Sequence, residues 1–107
     1  MGLKEMLMGT DIHAGLEEYR NTPGAVLVDV RTPEEYAQGH LPGSVNIPIQ
    51  RIFQVEQLVA DKQTPLFVYC LSGARSRRAA AFFEKLDYLH VRNIGGISGY
   101  RGELAHS

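Results

Sequence analysis

The residue with the clearest chemical potential in this sequence is its one cysteine, Cys70. It follows four apolar residues, 66–69, that predict a buried strand, and a helical pattern begins six residues later at Ser76. Open α/β sheets place their sites at this position, the carboxyl end of a strand. The residues between Cys70 and Ser76 are mostly small, so their backbone N–H groups can converge on the sulfur as an anion-binding nest.

The loop after Cys70 should favour a thiolate over a thiol. Its amides, the positive end of the following helix and a guanidinium group all stabilise negative charge, and its residues are Leu71, Ser72, Gly73, Ala74 and Arg75. We therefore predict a Cys70 pKa below the value of about 8.5 for a free cysteine, and a nucleophilic role. The same amides would stabilise an anionic persulfide. The alternative is a buried cysteine that only fills space, and position alone does not decide between them.

The elements that must position this loop alternate along the chain. Apolar runs predict short strands at 25–30, 44–47, 66–69 and 91–94. Helical patterns predict helices at 11–19, 33–38, 49–61 and 76–86. Apolar strands that are each followed by a helix predict an α/β fold with a mostly parallel sheet and helices on both faces.

Two of these helices carry further signals. Thr32, Pro33 and Glu35 predict a helix start with Thr32 as the N-cap and Glu35 completing a capping box. In the 49–61 segment, apolar residues fit one helical face imperfectly, and these are Ile52, Phe53, Val55, Leu58 and Val59. We expect that face to be buried.

Composition limits the classes of function. The chain has 107 residues, of which 44% are hydrophobic and 21% charged, so we expect one domain over 1–107. Eleven basic and 12 acidic residues give a net charge of −1, which provides no reason to expect nucleic acid or an anionic membrane as a partner. A single cysteine excludes an intrachain disulfide and a Cys-rich zinc site.

We also expect a cytoplasmic protein without a metal. Residues 1–10 contain no apolar run suited to a secretion signal, and no segment approaches the roughly 20 apolar residues of a membrane helix. His13, His90 and His106 show no spacing typical of metal ligands.

Four segments, in this order and at these spacings, resemble the rhodanese (sulfurtransferase) homology domain. They are LVDVRTPEEY (27–36), GHLPGSVNIP (39–48), VYCLSGARS (68–76) and NIGGI (93–97). The resemblance covers about residues 10–104. It implies the rhodanese-like three-layer α/β sandwich, with Cys70 taking up sulfane sulfur as a persulfide and residues 71–75 binding the substrate. No metal and no organic cofactor is needed for that chemistry.

Loop length separates two activities that share this fold. Related phosphatases use a Cys-x5-Arg loop, whereas Arg75 stands five positions after Cys70 and makes the smaller cradle suited to a sulfur atom. The resemblance thus implies sulfur transfer from thiosulfate or a persulfide to cyanide or a thiol, and phosphatase or arsenate reductase activity is the weaker alternative. A noncatalytic binding module, and a carrier that hands a persulfide to a protein partner, also remain open.

Leu71 departs from the family pattern. Many relatives that use thiosulfate have a basic residue directly after the cysteine, so thiosulfate binding here would depend on Arg75, with Arg77 and Arg78 as further candidates. Arg77 and Arg78 begin a helix, a position that disfavours cations, so they either serve an incoming anion or form a solvated face, and we favour the solvated face. The donor could instead be a small persulfide, a polysulfide or a protein persulfide.

The remaining conspicuous residues favour structural roles. We expect Asp29 and Arg31 to pair with each other or to hold neighbouring loops, and a ring nitrogen of His40 to bind the backbone.

The pair Gly95-Gly96 predicts a tight turn beside the active loop. Tyr100 stands where the family commonly has tryptophan, and we expect this difference to alter packing only.

Overall fold

A computed structural model describes residues 11–106 of the chain, so the expectation about residues 1–10 lies outside the described residues. These residues form a four-stranded sheet in the order β2-β1-β3-β4, and every neighbouring pair is parallel. The strands are β1 (Val26–Asp29), β2 (Val45–Asn46), β3 (Leu66–Cys70) and β4 (Val91–Gly96). The predicted parallel α/β sheet is confirmed.

Helices cover both faces of this sheet. They are α1 (Ile12–Arg20), α2 (Pro33–Gln38), α3 (Val55–Leu58) and α4 (Ala74–Lys85), with 3₁₀ turns at Ile49–Gln54 and Ile97–Gly99. No helix within residues 11–106 is long and apolar enough to cross a membrane.

The sheet separates two apolar cores, as the alternation of side chains along a strand requires. On one face Val28 and Val68 pack with Ala79 and Phe83 of α4. On the other face Leu27, Phe67 and Tyr69 pack with side chains of α1, which are Ile12 and Leu16. Helix, sheet and helix therefore form the three expected layers.

The segment 49–61 is not the single helix that its pattern predicts. A 3₁₀ turn at Ile49–Gln54, with non-helical dihedrals at Arg51, precedes the four-residue helix α3. Because a 3₁₀ turn has about three residues per turn, the two pieces do not share one helical face. Val55 and Val59 are buried as expected, but Phe53 and Leu58 are 64% and 60% exposed.

Two boundaries near the cysteine also differ from the predicted ones. Cys70 is the last residue of β3 rather than the residue after it, and α4 begins at Ala74 instead of Ser76. Only three residues, 71–73, therefore connect the strand to the helix. The capping box of α2 is present as predicted, with the Thr32 hydroxyl accepting from the Glu35 amide and the Glu35 carboxylate accepting from the Thr32 amide.

A buried ion pair organises the chain where β1 ends. The Arg31 guanidinium lies 2.7 Å from a carboxylate oxygen of Asp29, which is fully buried. Arg31 also donates to the Gly39 carbonyl at 2.7 Å. The Asn46 side-chain amide donates to the carbonyls of both members of the pair at 3.0 Å. The pair thus holds neighbouring loops, as the sequence predicted.

Removing this pair should be far more costly than removing an exposed pair of the same length. In Arg31→Gln the Asp29 charge stays buried without its cation, and we expect the free energy of unfolding to fall by about 3–5 kcal/mol. The matched control is Arg92→Gln, because Arg92 pairs with Glu18 at 2.7 Å with both side chains about half exposed. That change should cost less than about 1 kcal/mol. Urea unfolding of the two variants measures both losses of unfolding free energy. Equal losses would contradict the structural role of the buried Asp29–Arg31 pair.

Candidate active site

The cysteine lies at the bottom of a short loop. Cys70 is fully buried, and residues 71–73 turn the chain from β3 into α4. Gly73 makes that turn with φ +105°, a left-handed conformation that favours glycine. Its amide donates to the Cys70 sulfur over 3.0 Å. The loop thus directs a backbone donor at the sulfur, as a nest for an anion would.

Hydrogen bonds decide the protonation of this sulfur. Burial raises the pKa of the Cys70 thiol, because a thiolate is poorly solvated inside the protein. The hydroxyl and amide of Ser76 and the amides of Gly73 and Ser72 act in the opposite direction, and together they outweigh burial. The pKa of Cys70 is therefore lowered from its ordinary value, as the sequence predicted.

Ser76 and Asn93 connect the loop to the sheet. Ser76 is fully buried, and its hydroxyl lies 2.7 Å from the Asn93 side-chain oxygen and 3.1 Å from the Gly73 carbonyl. The same Asn93 oxygen accepts from the Gly95 amide at 3.0 Å. Neither residue was predicted from the sequence to be part of the site. Asn93 precedes the double glycine, but nothing in its local sequence indicates a partner 17 residues away.

The end of β4 touches the backbone of the loop. A Cβ at Gly96 would lie 2.6 Å from the Cα of Ser72 and would also collide with the carbonyl oxygen of Leu71. The Ser98 amide donates to that carbonyl at 3.1 Å. The tight turn predicted at Gly95-Gly96 is wrong, because both glycines belong to strand β4 and Gly96 is extended. The close packing against the loop nevertheless requires glycine at position 96.

The guanidinium of Arg75 is directed at a carboxylate outside the loop. Its two terminal nitrogens donate to the two Glu35 oxygens at 2.8 and 3.0 Å. These hydrogen bonds are the main reason that the pKa of Glu35 is lowered to about 2. They also raise the pKa of Arg75. The charge of Cys70 raises it too, by a smaller amount. The sequence indicated Glu35 only as a capping residue, because that local role already accounts for it.

The other predicted loop residues surround the site at the surface. Leu71, Ser72 and Ala74 are exposed, and Gly73 is half-buried. Arg77 and Arg78 are exposed, as expected of a solvated face.

The remaining expectations concern aromatic residues. One His40 ring nitrogen lies 2.8 Å from the Tyr36 carbonyl oxygen, and the two rings stack. Tyr100 stacks on His13 and packs against the α1 core, which is a packing role. Within residues 11–106, no cluster of three or more His, Cys, Asp or Glu is arranged to hold a metal ion.

Comparison with known proteins gives a consistent family. Residues 13–103 match the family model described as Rhodanese-like domain. The chain is 38% identical over 71 residues to thiosulfate sulfurtransferase PspE of Escherichia coli (strain K12), covering 65% of this chain and 68% of that protein. It is 39% identical over 83 residues to thiosulfate sulfurtransferase GlpE of Haemophilus influenzae, covering 76% and 78%. The solved structure of a rhodanese with anions from E. coli superposes with a TM-score of 0.72 at 32% identity, covering 78% of this chain and 99% of that one.

The contribution of Ser76 to the thiolate can be measured by alkylation. We expect the rate of Cys70 alkylation by iodoacetamide to rise with pH through a midpoint below the ordinary thiol value, since the lowered pKa keeps the reactive thiolate populated. In Ser76→Ala the midpoint should rise and alkylation at neutral pH should slow, because the hydroxyl is one of the groups that lower the pKa of Cys70. Ser72→Ala retains its backbone amide and should keep the wild-type midpoint. An unchanged midpoint in Ser76→Ala would contradict the role of the hydroxyl.

Proposed function

Because the chain belongs to the family of rhodanese-like domains, we propose that it is a sulfurtransferase that moves sulfane sulfur from thiosulfate or a persulfide to an acceptor through a persulfide on Cys70. The observation that carries this proposal is the hydrogen bond of 3.0 Å from the Gly73 amide to the Cys70 sulfur. This donor lies in a loop that lowers the pKa of the thiol. A stabilised thiolate is the nucleophile that attack on a sulfur–sulfur bond requires.

The first step transfers the outer sulfur of the donor. The Cys70 thiolate attacks that sulfur, a new S–S bond forms, and the donor's own S–S bond breaks with its electron pair leaving on the departing group. Thiosulfate would release sulfite, and an organic persulfide would release a thiolate. Because Cys70 is fully buried, the transferred sulfur must enter the loop and occupy the space lined by its amides.

The loop would stabilise both the attack and its product. Negative charge moves from the Cys70 sulfur to the terminal sulfur of the persulfide, close to the amides of Ser72, Gly73 and Ser76 that lower the pKa of the thiol. Fixed donors of this kind stabilise developing charge without reorganising during the reaction. No metal and no organic cofactor takes part in this scheme.

The second step returns Cys70 to its thiolate. A thiol or cyanide attacks the terminal sulfur, and the electron pair of the persulfide bond returns to Cys70. Cys70 is the one cysteine of these 107 residues, so no second thiol of this sequence can resolve the persulfide. The acceptor therefore lies outside these 107 residues, as a small thiophile or a protein thiol.

The observed ion pair argues against phosphate chemistry. A phosphatase of this type needs an arginine free to bind the phosphate dianion, whereas both terminal nitrogens of Arg75 are bound to Glu35. A noncatalytic binding module is disfavoured as well, because it would have no use for a cysteine whose pKa is lowered.

Intact mass spectrometry tests the proposal. Incubation with thiosulfate or an alkyl persulfide should add one sulfur atom to the protein, and cyanide should remove it with thiocyanate formed. Cys70→Ser should gain nothing, while Ser98→Ala, which removes an exposed hydroxyl outside the loop, should be loaded like the wild type. If neither donor adds sulfur to the wild-type protein, the sulfurtransferase proposal fails.

A further inference from the structure

The loop around Cys70 carries one charged side chain. Among residues 71–76 the sequence LSGARS contains a single cation, Arg75, and no anion. Leu71, directly after the cysteine, has an aliphatic side chain that is 44% exposed. A donor that approaches this loop therefore meets an apolar group and backbone amides, and its attraction to positive charge depends on the state of Arg75.

The charge of Arg75 is already matched. The two nitrogens and the two carboxylate oxygens form a bidentate pair at 2.8 and 3.0 Å, a geometry that fixes both groups. Each side chain is only about 30% exposed, so water screens the charges of the pair incompletely. The Glu35 oxygen that accepts from one Arg75 nitrogen also accepts from the Thr32 amide at 2.9 Å. The carboxylate cannot move aside for a donor without breaking the capping box.

The neighbouring arginines do not provide a free positive charge at the Cys70 loop in place of Arg75. Arg31 is buried against Asp29 and the Gly39 carbonyl. Arg77 and Arg78 lie on the exposed side of α4, whereas the buried face of that helix carries Ser76 and Ala79. Arg78 in particular is two residues after Ser76, which places it on nearly the opposite side of a helix.

We propose that Glu35 is a specificity-determining residue, which neutralises Arg75 and thereby selects alkyl persulfides over donors that carry a sulfonate. This inference rests on the proposed sulfurtransferase function. Thiosulfate brings two negative charges to the Cys70 thiolate, and the amides alone must offset the resulting repulsion. An alkyl persulfide brings at most one negative charge, and none in its protonated form RS–SH, and its carbon chain can contact Leu71.

The preferred step is balanced without a further reactant. The Cys70 thiolate attacks the outer sulfur of RS–SH, and the new bond forms as the RS–S bond breaks. The electron pair leaves on the alkyl thiolate, and the proton stays on the transferred sulfur. The inner sulfur of the donor is reduced to a thiolate, and the Cys70 sulfur is oxidised as it enters the new persulfide.

The test compares rates of sulfur loading from two donors. Thiosulfate and 2-hydroxyethyl persulfide are mixed separately with the reduced protein, and intact mass spectrometry gives a rate constant for each. For the wild type we expect the persulfide to load at least about tenfold faster. In Glu35→Gln the ratio of the thiosulfate rate to the persulfide rate should rise about tenfold, the lower end of electrostatic effects on association. Glutamine still completes a capping box, so this change removes charge and keeps the helix start.

The matched control is Glu34→Gln, which removes the same charge from the exposed neighbouring position and should leave the ratio unchanged. Leu71→Lys is a second variant, which adds a cation without touching the ion pair and should also raise the ratio. Both gains should shrink at high salt, because screening weakens attraction to an exposed cation.

The outcomes separate the two proposals. If the wild type takes sulfur from neither donor, the sulfurtransferase proposal itself fails. If it loads from thiosulfate as fast as from the alkyl persulfide, sulfur transfer stands and the selectivity is overturned. If Glu35→Gln slows both donors to the same extent, Glu35 only clamps the loop, and its assignment as a specificity residue is overturned even when Leu71→Lys raises the ratio.

Discussion

The close contact between the active loop and Gly96 is the constraint on which the site depends. It follows from the register of the sheet. Val68 pairs with Asn93, but the next residue of β3 pairs with Gly95, so β4 has one extra residue at this point. Gly95 has φ +105°, the left-handed conformation typical of a glycine in such a bulge. The shift places Gly96 beside Cys70, where the missing side chain leaves room for the loop to fold back over the sulfur.

Tyr69 and Cys70 are equally buried, but their pKa values are shifted in opposite directions. Both are fully buried and adjacent in β3, and their side chains point to opposite faces of the sheet. Burial raises the pKa of Tyr69, and the nearby negative charge of Asp29 raises it further. Burial also opposes ionisation of Cys70, but its face of the sheet supplies amides and a hydroxyl that reverse the effect. The local donors, and not depth in the protein, therefore determine which residue ionises.

The sequence predicted the parts of this structure that depend on near neighbours. The capping box joins Thr32 and Glu35, which are three positions apart, and the loop after Cys70 is also a short local segment, so residue types and spacing were sufficient. The two contacts that complete the site were not predictable in this way. Arg75 meets Glu35 across 40 positions, and Ser76 meets Asn93 across 17. The prediction of one helix over 49–61 failed for another reason. An apolar pattern does not reveal a 3₁₀ turn, which changes the direction in which the following side chains point.

The two ion pairs near the carboxyl edge of the sheet leave the site with dipoles as its main source of positive potential. Arg31 is paired with Asp29, two residues earlier in the chain, and Arg75 at the start of α4 is paired with Glu35 of α2. An unmatched arginine would attract any anion over a distance of several ångströms. Amide dipoles act only at close range and in fixed directions, so they favour an anion that already lies inside the loop. A terminal sulfur bonded to Cys70 fulfils that condition, whereas a free anion in solution does not. Pairing the arginines therefore directs stabilisation to the bound sulfur.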